Sequence, residues 1–410
     1  MLRSLSVAPN LMLAAGLALA VASCAPATTP GPARTTAPPV AQTAPTLPGG
    51  SVDPNRPVVV ALLAPLTAAD EGAANDGNAL ANAARMAMVD LADPTMELRV
   101  YDTAGNPQGA RSMALKAVGE GAALILGPLF SANTGGVGDV AGAAGINVIS
   151  FSTDSAVAGG PVFLSGFLPE AEAERIVGFA ASRGLDRIAV FYPQTDYGSA
   201  AIRGADAAVL SSSARVVAAS GYRRTFQGIQ DAAEPFAGTA LAAGATAVLL
   251  PDSGQGLRSV GAFIDYSGLD PVEVKYLGLG QWISSSTLQE PALRGGWFPA
   301  PDPDKLDVFV SLYSARYGAQ PPFIAVLGYD AVQVAGQLLA DARRDGSNTP
   351  FGRAELTRIE GFQGALGPLR FEPNGLNQRA MAILEVGERS FEVLDPAPSR
   401  LGLARLGLGS

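Results

Sequence analysis

The chain has 410 residues, 48% of them hydrophobic and 16% charged, with a formal net charge of -9 at pH 7. That length allows two or three domains with a large core, and the acidic balance, with a pI near 4.7, argues against a nucleic-acid partner, which needs a clustered basic face. Histidine is absent, which excludes Ser-His-Asp and Cys-His catalysis and His-ligated metal sites, and the single cysteine, Cys24, excludes an intramolecular disulfide.

At the N-terminus Arg3 is followed by an apolar run over 11–21, the length of a signal-peptide core and too short to span a membrane comfortably. It ends Val21-Ala22-Ser23-Cys24, which resembles a bacterial lipobox. On that reading 1–23 is a lipoprotein signal peptide and Cys24 is lipidated, anchoring the protein to a membrane. The alternative is an ordinary signal peptide with Cys24 incidental. Ala25 stands where an aspartate commonly retains lipoproteins in the inner membrane, so the outer membrane is expected. Residues 24–56, rich in Pro, Thr and Ala, read as a flexible tether.

The folded body is expected over 57–395. Residues 58–63 form a continuous apolar run suited to a buried parallel strand, closed by a loop whose Pro65 and Leu66 are cleft candidates. Helical spacing over 78–91, alternation over 97–102 and a helix from Asn106-Pro107 to about Glu120 follow. Apolar runs at 124–126 and 148–149 flank a Gly/Ala-rich helix over 135–145, giving a βαβ unit. Its polar turns carry Ser131, Asn133, Ser152, Thr153 and Asp154 at strand ends, where open parallel sheets bind ligands. They are cleft candidates, or ordinary turn formers.

The alternation then repeats, with strands at 187–192, 214–219, 247–250 and 274–279 and helices from Glu170, at 199–210, 232–243 and 255–266. Two similar α/β lobes with parallel sheets and a cleft between them are expected, the cleft being a common place for a small ligand. A short strand at 296–298, helices at 306–317 and 324–343, and a hairpin from Arg370 through Asn374-Gly375 to 379–386 follow. Lobe one is placed at about 57–168 and 302–370, lobe two at about 169–301 and 371–395, with crossings near Leu168, Pro301 and Arg370. A disordered tail is expected over 396–410.

Other clusters read as structure. Glu170, Glu172 and Glu174 suit a helix start. Asp302, Asp304 and Asp307 miss the calcium-loop spacing, and 135–138 lacks the lysine of a phosphate loop. Trp282 and Trp297 suit the core, with cleft lining as the alternative. Asp196 and Tyr197 suit cleft contact or a turn. No cofactor, metal site or catalytic pair is expected.

The order of elements, with LLAPLT (62–67), VYDTAGNP (100–107), EGAALILGPLFS (120–131), DYGSA (196–200) and GYDAV (328–332), resembles type I periplasmic binding proteins of the leucine/isoleucine/valine-binding class. Within that class it is most similar to the penicillin-binding-protein activator lipoproteins, without their helical-repeat domain. The resemblance implies Rossmann-like lobes and a carboxylate held at Ser131, with Ser152 and Asp154 in the next loop. It places Asp252 and Gln281 where a tyrosine and a glutamate hold an ammonium. Two functions follow from it. The first is a periplasm-facing, lipid-anchored regulator whose partner is a peptidoglycan synthase. The second is the substrate-binding receptor of a branched-chain amino acid-type ABC importer, with a small polar ligand in the cleft. Tight binding of branched-chain amino acids is not expected, because Asp154 would oppose a carboxylate at Ser131.

Overall fold

A computed structural model describes residues 50–401. The signal peptide, Cys24, most of the tether and the end of the tail lie outside the described residues. The first lobe is built from β1 (Val58–Ala64), α1 (Glu71–Leu91), β2 (Met96–Asp102), α2 (Pro107–Gly119), β3 (Ala122–Leu126), α3 (Ser131–Ala144), β4 (Asn147–Ser150) and β5 (Val162–Leu164). Its sheet has the order β2-β1-β3-β4-β5, every neighbouring pair parallel. All seven residues of β1 are buried. Val58, Val60 and Leu62 pack on the side of α1. Val59, Ala61 and Leu63 pack on the side of α2 and α3. Cover on both faces is why this strand is an unbroken apolar run.

The second lobe takes α4 (Pro169–Ser182), β6 (Arg187–Pro193), α5 (Asp196–Ser211), β7 (Arg215–Tyr222), α6 (Phe226–Ala242), β8 (Ala247–Leu249), α7 (Gly254–Tyr266), β9 (Lys275–Leu277), α8 (Ser285–Leu288) and β10 (Trp297–Ala300). The chain then returns to lobe one as α9 (Pro303–Tyr317) and α10 (Ala325–Asp345). On α10, Gly328 lets that helix approach α1 closely, since a Cβ there would lie 2.3 Å from the Leu80 carbonyl oxygen.

A small antiparallel sheet follows, of β11 (Phe362–Gly364), β12 (Gly367–Phe371) and β13 (Asn377–Arg379). The last strands, β14 (Ala382–Val386) and β15 (Phe391–Asp395), join the second lobe antiparallel, giving the order β15-β14-β10-β9-β8-β6-β7. The fold is therefore mixed α/β, with a separate main sheet in each of two lobes.

The third crossing lies at 380–381, between β13 and β14, not near Arg370. The Asn-Gly turn forms the hairpin as expected, but its second arm is divided. Its first part, β13, pairs with β12, and the amide of Asn377 donates to the carbonyls of Leu164 (2.9 Å) and Gly166 (2.8 Å) at the first crossing. Only the apolar 382–386 segment enters the other lobe. Arg379 binds the same region: its guanidinium donates to the Ser165 carbonyl (2.8 and 3.1 Å) and to the Asp330 carboxylate of α10 (2.7 Å). Two crossings are thus tied side by side onto lobe one.

Candidate ligand-binding site

A cavity of about 430 Å³ lies between the lobes. Lobe one supplies Phe151 and Thr153 after β4, and Phe323, Ile324 and Leu327 at the start of α10. Phe167 comes from the first crossing. Lobe two supplies Glu172 on α4, Tyr197 on α5, Ser253 before α7, and Gly280, Gln281 and Ile283 after β9. Most of these follow the carboxyl ends of parallel strands, where the sheet twist opens a crevice. Phe167 packs on Phe323 with centroids 4.8 Å apart, and the Arg379 guanidinium lies 4.7 Å from the Phe167 ring centroid. The tied crossings therefore also hold one wall of the cavity.

Glu172 is the acidic group of this lining. Its residue is 4% exposed, and one carboxylate oxygen accepts the Gly280 N–H at 3.1 Å. Burial pushes its carboxyl up from the usual 4.5 to about 7, against the Gly280 N–H and the nearby Tyr197 hydroxyl, which favour the ionised form. The Tyr197 hydroxyl is itself buried and makes no well-aligned hydrogen bond. Burial, with the Glu172 carboxyl beside it, raises its pKa well above 10. A Cβ at Gly280 would sit 2.6 Å from a Glu172 oxygen, so a side chain there would displace that carboxyl.

Of the residues singled out from sequence, Thr153, Tyr197 and Gln281 line the cavity. Asp154 faces a small adjoining space of about 60 Å³ with Asp196 and Arg203, and its carboxylate caps a turn through the Ala156 N–H. Ser131 is the first residue of α3, and the buried Asn133 lies in the same turn; neither is in the lining. Ser152 is buried, its hydroxyl accepting the Asp154 N–H. Pro65 packs over Gly77 of α1, and Leu66 against the core of lobe one.

Asp252 also stands apart from the expected ammonium site. Arg224 (2.8 Å), the Tyr222 hydroxyl (2.7 Å) and its own neighbour's N–H (Ser253, 2.7 Å) fill its carboxylate. Trp282 is core, its indole donating to the Leu250 carbonyl, and Trp297 lies in β10 and donates to Glu385. Asp302 caps α9.

Glu172, read from sequence as one of three acids at a helix start, is instead the buried acid of the cavity. The signal was present. A period of 3.6 puts Glu172 on the stripe of Ile176, Phe179 and Ala180, the buried face of α4. Glu170 lies off that stripe and pairs with Arg203 at 2.7 Å.

This arrangement of two lobes around an interlobe cavity defines a binding protein. The model of the periplasmic binding protein family matches residues 57–390, so the chain belongs to that family. Membership implies a location outside the cytoplasm, and no described helix is long and apolar enough to cross a membrane.

Among solved structures the fold is similar to a putative branched-chain amino acid ABC transporter from Rhodospirillum rubrum (20% identity, TM-score 0.70, 82% of this chain and 100% of that one). It is also similar to an ABC transporter substrate-binding protein from Desulfitobacterium hafniense in complex with Leu (16% identity, TM-score 0.61, 83% and 100%). A third is a solute-binding protein from Rhodopseudomonas palustris in complex with 3,4-dihydroxy benzoic acid (18% identity, TM-score 0.59, 83% and 98%). No curated protein matches the sequence.

Proposed function

We propose that this protein is the solute receptor of an ABC importer of the branched-chain amino acid type, holding a small molecule between its lobes. The observation that carries the reading is the interlobe cavity: about 430 Å³, apolar on most of its walls, with one buried carboxyl. Cavities of that size and make-up suit small ligands. The solved structures compared above are named as an ABC transporter or as a binding protein of one. They favour the receptor over the regulator of peptidoglycan synthesis that the sequence resemblance placed first. Affinity capture from an envelope extract tests it: membrane subunits of an ABC importer are expected, and recovery of a peptidoglycan synthase in their place overturns it.

The lipobox supports anchoring of this receptor through Cys24, the chain's single cysteine. Cys24→Ala is expected to release the protein from the membrane or to stall its processing with the signal peptide attached. Fractionation with intact-mass measurement checks this; a variant that stays membrane-bound at the wild-type mature mass refutes anchoring.

A further inference from the structure

The charged equipment of the cavity is one-sided. Its lining contains the Glu172 carboxyl and no lysine or arginine among the described residues. The buried Tyr197 hydroxyl, without a well-aligned partner, lies beside that carboxyl. An ammonium group carries three donors and no acceptor, so it satisfies both oxygens at once.

The surroundings carry the same sign. Asp154 and Asp196 border the small space that shares Thr153 and Tyr197 with the cavity. Of the cations nearby, Arg203 is paired with Glu170 and Arg224 with Asp252. A ligand carboxylate finds no cation to pair with: neither Ser131 nor Ser152 is in the lining, and its other polar side chains, Thr153, Ser253 and Gln281, are neutral. The opposite wall is Phe151, Phe167 and Phe323, which suits an apolar body.

Resting on the receptor reading, we infer that the cavity takes a compact amine: an aromatic or branched aliphatic body with one ammonium directed at Glu172 and no carboxylate. Leucine and benzoate each carry a carboxylate, for which this lining offers no cation.

The test uses the purified chain, unfolded and refolded to strip endogenous ligand. Calorimetry compares 3-methylbutylamine with leucine and 4-methylpentanoate, and benzylamine with benzoate. At pH 8 each amine is expected to bind more tightly than the acids sharing its body. Both amines stay protonated down to pH 5, so the pH dependence reports the protein. With the Glu172 carboxyl at about 7, amine affinity should fall about a hundredfold between pH 8 and pH 5. Tyr197 titrates far above this range, and Glu170 and Asp252 are paired with Arg203 and Arg224. Glu172→Gln should abolish amine binding and its pH dependence while its thermal unfolding at pH 8 shows it folded.

Tighter binding of leucine or a carboxylate than of the matching amine overturns the inference and leaves the receptor reading intact. Retention of amine affinity in folded Glu172→Gln also overturns it. So does an absence of binding by all five probes, in which case the receptor reading is judged on the importer capture alone.

Discussion

Asp330→Ala is expected to cost about 3–5 kcal/mol of folding stability, because it strands a buried cation. The Asp330 and Arg379 side chains are 1% and 5% exposed and meet at 2.7 Å. The carboxylate also accepts the Ala365 N–H at 2.7 Å, so truncation orphans a second donor. Arg379 keeps its bonds to the Ser165 carbonyl, which hold position and supply no counter-charge. Asp330→Asn retains an acceptor and should lose less. The double variant Asp330→Ala, Arg379→Met should lose less than the two single losses added, since it removes the unpaired charge along with its partner. Urea denaturation of the wild type and these variants measures this. Additive losses would mean that the two side chains do not act as a pair. Because Arg379 also stacks on Phe167, both single variants should weaken whatever ligand the cavity holds.

Glu172→Gln should make the ligand-free protein more stable at neutral pH. The carboxyl titrates at about 7 in the folded chain against 4.5 ordinarily, so the native state holds its proton more tightly than the unfolded one. Stability from this group is complete below pH 4.5, declines as the unfolded chain ionises, and is lost by pH 7. The displacement corresponds to about 3 kcal/mol. The glutamine keeps an oxygen for the Gly280 N–H and has no charge to desolvate. Denaturation at intervals from pH 4.5 to 8 should therefore show a declining contribution in the wild type that the variant lacks. Parallel curves would show that Glu172 is not the group holding the proton. A stability cost concentrated in one cavity residue is what a binding site carries when its ligand supplies the missing charge.

The strands β1 and β3 were legible because both faces are covered and the runs are continuously apolar. The start of α1 was not. Residues 71–77 lack an apolar period, yet the helix begins at Glu71, because the Asp70 carboxylate caps the Ala73 N–H at 2.8 Å and Gly77 packs against Pro65. The third crossing was misplaced for a similar reason. No glycine or proline separates 377–379 from 382–386; contacts with Leu164 and Gly166, more than two hundred residues earlier, divide them.

The sequence by itself determined the alternation of strand and helix and the two lobes, which follow from local periodicity repeated in order, and it indicated the family through the motifs it resembles. Which polar side chain serves the cavity was decided only by the tertiary structure. Asp252 and Glu172 are both acids near strand or helix ends. Arg224 and Tyr222, about thirty residues away, neutralise the first, while Gly280, 108 residues away, meets the second with a single N–H and leaves it buried. A carboxylate's role is set by the charges and donors brought to it in space, and those partners come from segments that no local pattern connects.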